Sequence, residues 1–460
     1  MMLAHRSFSV LPLVLALILV PVAGHAAAGL SFTCDDQGVV TDLGQLVVFH
    51  TLVRNTGSAA DTSTLTIVKS VPPGWITSLC EGTTCYNEHV VEITFTLAPG
   101  EETNVDLDVQ VETVAGCGSV TMTVTSGADP GLSAALDFHV GTSGLDLLLV
   151  AGDEGTTGYY EDALAGTGLS HAVWPRQVAG SLTSAEISFF PRVVWFAGDR
   201  SPGLDDPDRA VLAYYLQHGG ALFLSGRDLA YEACDPASPF HGAMAASWFS
   251  IVLGTGYAGD GAPYQSAVGP SGDPVTGGLA CGLQGGDGSG TNTDCDRLAA
   301  EAGGTVSLTY EDGTPAAVRS TYGTGRSFFC AFDLAGVATA AERAALLQAF
   351  LDWAAGPSPV PEGVPAAGSA RVAAFPNPFN PRTTLHLDTG ADQAVPVAVD
   401  IHDVRGRVVR KLFRGNLPPG GQNLDWKGID DGGRPAPSGL YFVVMTTPDG
   451  PAAGKIVLAR

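Results

Sequence analysis

Basic residues are scarce in this sequence: 23 Lys and Arg stand against 47 Asp and Glu among 460 residues, a net charge of −24. That balance excludes a nucleic-acid-binding protein, because neutralising phosphates takes Lys/Arg patches. The 8 cysteines include no paired C-x-x-C spacing, so cysteine ligation of zinc is not expected. Charged residues make up only 15% of the chain, too few for long solvated helices. What is abundant is glycine (59) and proline (30), which favour turn-rich β-structure. At 45% hydrophobic residues, each domain of a multidomain chain can build a core.

The N-terminus reads as an export signal over residues 1–28. His5 and Arg6 precede an apolar stretch from Leu11 to Val22, and Gly24-His25-Ala26 and Ala26-Ala27-Ala28 both fit a small-residue cleavage site. The other reading is a membrane anchor, but a span needs roughly 20 apolar residues. With no second long apolar run, the mature chain is expected to be secreted or held at the cell surface, without a transmembrane segment.

Charge is unevenly distributed. From Pro361 to Arg460 there are 11 Lys/Arg against 9 Asp/Glu, whereas the rest of the chain has 12 against 38. The shift places a domain boundary near residue 360. In an exported protein cysteines pair, and they fall here into two groups of four. We expect Cys34–Cys117 and Cys80–Cys85 in the first group, and Cys281–Cys295 and Cys234–Cys330 in the second.

Residues 29–143 carry short alternating segments such as Val90 to Leu97 and Val105 to Val111, separated by Asn55-Thr56-Gly57, Pro72-Pro73-Gly74 and Pro99-Gly100-Glu101. Period-2 alternation between turns predicts a β-sandwich. The turn succession with Trp75 resembles bacterial Ig-like domains of extracellular proteins. Trp75 is open to two roles, a sugar platform or a half-buried sandwich residue.

Residues 144–356 change character. Strands at Leu145–Val150, Arg192–Ala197 and Ala221–Leu224 alternate with helical patterns at Tyr159–Leu164, Asp206–His218 and Thr339–Trp353. Asp206 serves as N-cap with Pro207 at the first helical position. After a long Gly-rich insertion comes a hairpin of Ala317–Tyr322 with Arg326–Phe332. The expectation is a three-layer α/β/α domain on a mostly parallel sheet. The run from Val193 through Gly198-Asp199 to Gly219-Gly220-Ala221-Leu222-Phe223-Leu224-Ser225-Gly226 resembles the class I glutamine amidotransferase-like fold. That resemblance implies a Cys nucleophile in a Gly-x-Cys-x-Gly elbow and a later His. Here the elbow reads Leu224-Ser225-Gly226-Arg227-Asp228 and the later strand Ser327-Phe328-Phe329-Cys330-Ala331-Phe332-Asp333, so that reaction is not implied.

A linker at residues 357–371 leads to a last domain at 372–460. Its ordered set begins with Phe375-Pro376-Asn377-Pro378-Phe379-Asn380-Pro381 and a turn at Arg405-Gly406-Arg407. It continues through Trp426-Lys427-Gly428-Ile429-Asp430-Asp431-Gly432-Gly433 and ends in Pro437-Ser438-Gly439-Leu440-Tyr441. The set resembles the Ig-like domain of flagellar hook-capping proteins (FlgD type) and the related sorting domains of type IX secretion substrates. The resemblance implies a C-terminal Ig-like β-sandwich and, as partners, secretion machinery or cell-envelope components.

Ligands of open parallel sheets bind beyond the carboxyl ends of the strands. There this sequence sets Asp153, Asp199, Arg200, Ser225, Arg227 and Asp228, with Asp333 near them. The reading preferred over a ligand site is structural: the Asp residues cap the following helices and pair with Arg200 and Arg227. No Gly-x-Ser-x-Gly elbow surrounds Ser225, so a triad with His171, His218 or His241 lacks its scaffold. Asp287 to Asp294 alternates oxygen ligands as calcium loops do, yet lacks the EF-hand pattern and its closing Glu, and reads rather as a surface loop closed by Cys281–Cys295. No catalytic residue, metal ligand or cofactor is assigned. The expected function is a non-catalytic binding or structural role at the cell surface or outside it, with the final domain mediating sorting or attachment; the alternative is an extracellular hydrolase working at the crevice.

Overall fold

The computed structural model describes residues 27–356 and, within 371–458, all but 376–378, 380, 390, 392, 404–406, 419–421, 438 and 449. Residues 1–26 of the expected export signal (1–28), 357–370 of the expected linker (357–371) and the turn around Arg405-Gly406 therefore lie outside the described residues. The chain divides into two compact units, Met1–Ser358 and Pro359–Arg460.

The first lobe is a β-sandwich. One sheet orders Leu30–Cys34, Thr51–Asn55, Glu102–Gln110, Ile76–Glu81 and Thr84–Cys85, with Leu46–Phe49 also pairing on Glu102–Gln110. The other orders Gly38–Thr41, Ser133–Thr142, Cys117–Thr125, Asp61–Ser70 and Glu92–Leu97. Alternation does what the sequence indicates: Val120, Met122 and Val124 point into the core while Thr121 and Thr123 do not. Trp75 belongs to that core at 6% exposure, and its indole N–H donates to Val114 O at 2.9 Å, so its role is packing.

The second lobe is built on a nine-stranded sheet. Five strands run parallel in the order His171–Pro175, Leu147–Ala151, Arg192–Phe196, Ala221–Ser225 and Gly325–Cys330. Four more, Pro315–Tyr322, Gly304–Tyr310, Ser266–Val268 and Ala280–Gly282, continue it antiparallel. The expected mostly parallel sheet is therefore mixed. The cause is the turn at Gly323 (φ +60°), which reverses the chain between Pro315–Tyr322 and Gly325–Cys330, and the insertion, which supplies further strands beyond it.

Side chains alternate between two cores. On one face Leu147, Leu149, Val194, Phe196 and Phe223 pack with the helices Thr157–Ala165 and Ala340–Ala355. On the other, Leu148, Val150, Trp195, Leu222 and Leu224 pack with Asp206–Gln217 and Ala243–Val252. Leu147–Ala151 and Ala221–Ser225 are buried throughout, which is why they appear in the sequence as continuous apolar runs rather than alternating ones. The helix at 206–217 is capped one residue earlier than its sequence suggests. Asp205 is the N-cap and forms a reciprocal capping box with Asp208.

The two lobes are joined through an interface that includes polar contacts. Val40 N donates to Glu186 Oε1 at 3.0 Å, and Cys117 Sγ donates to Val173 O at 3.5 Å. Gly38 is a close approach, since a Cβ there would fall 2.5 Å from Ala179 O.

The last unit has a three-stranded sheet of Arg371–Phe375, Thr383–Asp388 and Gln422–Trp426, and a four-stranded one of Val408–Leu417, Val395–Asp403, Gly439–Thr447 and Gly450–Leu458. Trp426 stands edge-on to Tyr441 at 5.1 Å between ring centroids. Its indole N–H donates to Ile429 O, and the Tyr441 hydroxyl to Pro437 O. These bonds pin the two turns of the motif to the core. No helix among the described residues is long and apolar enough to cross a membrane.

Cysteine pairing departs from expectation. Cys80 and Cys85 are bonded, while Cys34, Cys117, Cys234, Cys281, Cys295 and Cys330 are free thiols. Cys34 packs against the sandwich core and Cys117 against the second lobe, so Cys34–Cys117 does not form. Cys234 and Cys330 belong to cores on opposite faces of the mixed sheet. Cys281 lies on a strand facing Glu342, whereas Cys295 lies beside Tyr310. Thiol counting in denaturant with non-reducing peptide mapping is expected to give six free thiols and one bridge, Cys80–Cys85; any of the other three pairings in the purified protein would contradict this arrangement.

Candidate functional site

The residues set after the parallel strands converge at one end of the sheet. Asp153 latches two loops. Its carboxylate accepts from Thr156 N at 2.8 Å and, across the gap, from Asp199 N at 3.2 Å. Gly198 has φ +58°, and a Cβ on it would lie 1.7 Å from Asp153 Oδ2. A Cβ on Gly152 would lie 1.9 Å from Ala197 O. Both glycines thus let neighbouring loops touch.

Arg200 is turned into the protein. With Arg176 it brackets the capping-box acids: Arg200 reaches Asp208 Oδ2 and Asp205 Oδ2 at 2.8 Å each, and Arg176 reaches Asp208 Oδ1 and Asp205 Oδ2 at 2.8 Å each. Asp208 is 1% exposed. Two guanidiniums on two carboxylates satisfy charges that would be costly to leave buried alone.

Ser225 occupies the strand end where the amidotransferase-like elbow would begin. Its hydroxyl donates to Phe332 O at 2.9 Å, accepts from Leu334 N at 2.9 Å, and lies 3.0 Å from the Tyr160 hydroxyl. Tyr160 also donates to Asp333 Oδ1 at 2.7 Å and stacks on Phe196 at 4.1 Å. Asp333 stands on the strand the resemblance would give to histidine. It accepts further from Ala335 N and from Thr291 Oγ1, and burial pushes its carboxyl above the ordinary range. His171, His218 and His241 are absent from this network.

Segment 284–296 covers the cluster. Asn292, fully buried, accepts from Asp333 N at 2.8 Å and donates to Asp333 O at 3.0 Å. Thr291 O accepts from Arg227 at 2.7 Å, and Asp287 pairs with Arg343. The alternating oxygens of Asp287 to Asp294 are in large part committed to closing the sheet end.

What stays at the surface is a rim of Asp199, Arg227 and Asp228. Arg227 lies 3.6 Å from Asp199 Oδ1 and 3.3 Å from Asp228 Oδ2. Asp228 is pushed up to about 6, first by burial and then by Asp294, against the pull of Arg227. Beneath it lies Asp296, which sequence reasoning missed. One of its oxygens accepts from Ala230 N and Tyr231 N, while the other has no partner. Asn292 and Tyr160 were also missed, because their partners lie 41 and 173 residues away.

Two outcomes follow. Asn292→Ala leaves the Asp333 N–H unpaired under cover, which costs on the order of 1–3 kcal/mol; faster limited proteolysis between 284 and 296 and a lower unfolding midpoint are expected. A carboxyl raised on folding binds its proton more readily in the folded state, so its contribution to stability falls as pH rises from roughly 3.9, the unfolded value, to about 6, and is level above. The stability difference between wild type and Asp228→Asn, measured by thermal unfolding across pH, should decline over that window only.

Residues 379–450 match the model of the FlgD Ig-like domain. No curated protein matches the chain. Among solved structures, the N-terminal domain of PorA is 15% identical over 25% of this chain and 98% of its own, with a TM-score of 0.21. An exo-β-1,4-mannosidase from Opitutaceae bacterium strain TAV5 is 14% identical over 46% of this chain, with a TM-score of 0.30, and this chain spans 35% of its length. PorZ, a surface component of the type IX secretion system of Porphyromonas gingivalis, is 21% identical over 19% of this chain and 11% of its own, with a TM-score of 0.15. Superpositions this distant carry no functional argument; the C-terminal FlgD-type domain is the assignment that stands.

Proposed function

We propose that this is an exported protein with a non-catalytic binding or structural role at the cell surface or outside it, its FlgD-type domain mediating sorting, as in type IX secretion, or attachment. The observation that carries the non-catalytic reading is the state of Ser225: fully buried, with its hydroxyl committed to Phe332, Leu334 and Tyr160. A nucleophile needs an adjacent base to take its proton, and this hydroxyl spends its proton on a backbone carbonyl. In this reading residues 144–356 descend from an amidotransferase-like scaffold whose reaction centre has become a packed polar plug.

A second reading, an extracellular hydrolase, is favoured by one feature. Asp228 is half-buried at the rim and lies near pH 6, in the range that suits a general acid or base.

Thermal unfolding of the full chain against sugars, nucleotides, peptides and divalent metals separates the two when combined with hydrolase substrate screening. A binding role predicts a shift of about 2.7 kcal/mol for a ligand at a hundred times its Kd, with no turnover. Turnover that disappears in Asp228→Ala, with folding unchanged, would establish the hydrolase instead. An intact mass from the exported protein lacking the C-terminal domain would support sorting over attachment.

A further inference from the structure

A groove of about 400 Å³ runs between the sandwich and the edge of the mixed sheet, apart from the plugged crevice. The sandwich contributes Cys117, Ser119 and His139, and the second lobe contributes Glu154, Thr157 and Glu161. The sequence dictates this meeting. Ser119 and His139 are directly opposed in the antiparallel pairing of Cys117–Thr125 with Ser133–Thr142. Cys117, two residues from Ser119, shares their face. That face looks outward from the sandwich core, onto strand His171–Pro175, whose Val173 O accepts the Cys117 thiol. Across the groove, Glu154 precedes the helix Thr157–Ala165 and Glu161 lies one turn into it, so both carboxylates border one side.

The groove is rich in acceptors. Among the described residues, neither Glu154 nor Glu161 has a cationic partner, and no Lys or Arg lines the space. Burial holds His139 below its ordinary value against the pull of Asp137 and Glu154, so near neutrality it offers a ring nitrogen as acceptor. Burial, with Glu161 adding to it, pushes the Cys117 thiol up and keeps it protonated. Two carboxylates and a neutral imidazole thus face a space whose size suits one small ligand or side chain.

We propose that this groove is a binding site for a donor-rich organic cation, an ammonium or guanidinium group, held by Glu154 and Glu161 against His139. Such a group brings three to five N–H donors to a wall whose charged groups are both carboxylates. The cation has two sources of the same chemistry, a free polyamine or the basic side chain of a peptide.

Calorimetric titration of the full chain with spermidine and with N-acetyl-arginine amide tests this. Saturable binding to either supports the site, and which one binds more tightly identifies the source. The double variant Glu154→Gln/Glu161→Gln, changing two exposed side chains, should weaken binding at least tenfold, while Asp228→Asn in the crevice should leave it unchanged. No saturable binding of either probe, or binding equal in the double variant, overturns the proposal. A thermal shift with Zn²⁺ alone that His139→Ala and Cys117→Ser abolish, without response to either amine, would replace it with a metal site.

Discussion

A short parallel strand covered on both faces has no outlet for polarity except at its ends. Leu147–Ala151, Arg192–Phe196, Ala221–Ser225 and Gly325–Cys330 are such strands, and the polar chemistry of the second lobe follows from that confinement. The groups that emerge at their carboxyl ends must find partners within a few ångströms or remain wet. Here they find one another: Asp153 meets the loop at Asp199, Arg200 meets the capping-box acids, and Ser225 meets Tyr160 and Asp333.

The insertion completes the arrangement. By placing Asn292 on the backbone of Asp333 and Thr291 on its carboxyl group, it closes this end of the sheet. The rim of Asp199, Arg227 and Asp228 faces water beside the exposed Thr293 and Asp294, above a buried acid, Asp296, with one oxygen unanswered.

The parallel strands were legible in the sequence because complete burial removes alternation and leaves apolar runs closed by glycine. The helix at Asp206–Gln217 was legible from its acids and proline, with the cap misplaced by one residue because Asp205 and Asp206 are chemically equivalent candidates. The strands Ser266–Val268 and Ala280–Gly282 were not, since three residues among glycines carry no period. They extend the antiparallel part of the sheet, which begins at the hairpin of Pro315–Tyr322 with Gly325–Cys330. The six crevice residues do gather at one end, but nothing local announces that Arg200 turns inward or that Ser225 is sealed by a tyrosine 65 residues earlier. The bridge Cys80–Cys85 was legible because a hairpin brings its ends together. The other pairings failed because the cores that hold those thiols cannot be seen in sequence spacing.

The outermost parallel strand, His171–Pro175, would be an open edge in an isolated second lobe, inviting strand addition from another copy. The sandwich rests against it, with a cysteine thiol on one of its carbonyls and Val40 packed into the core beyond. The sandwich thus stands where another strand would, and separating the two near residue 143 would leave that margin uncovered.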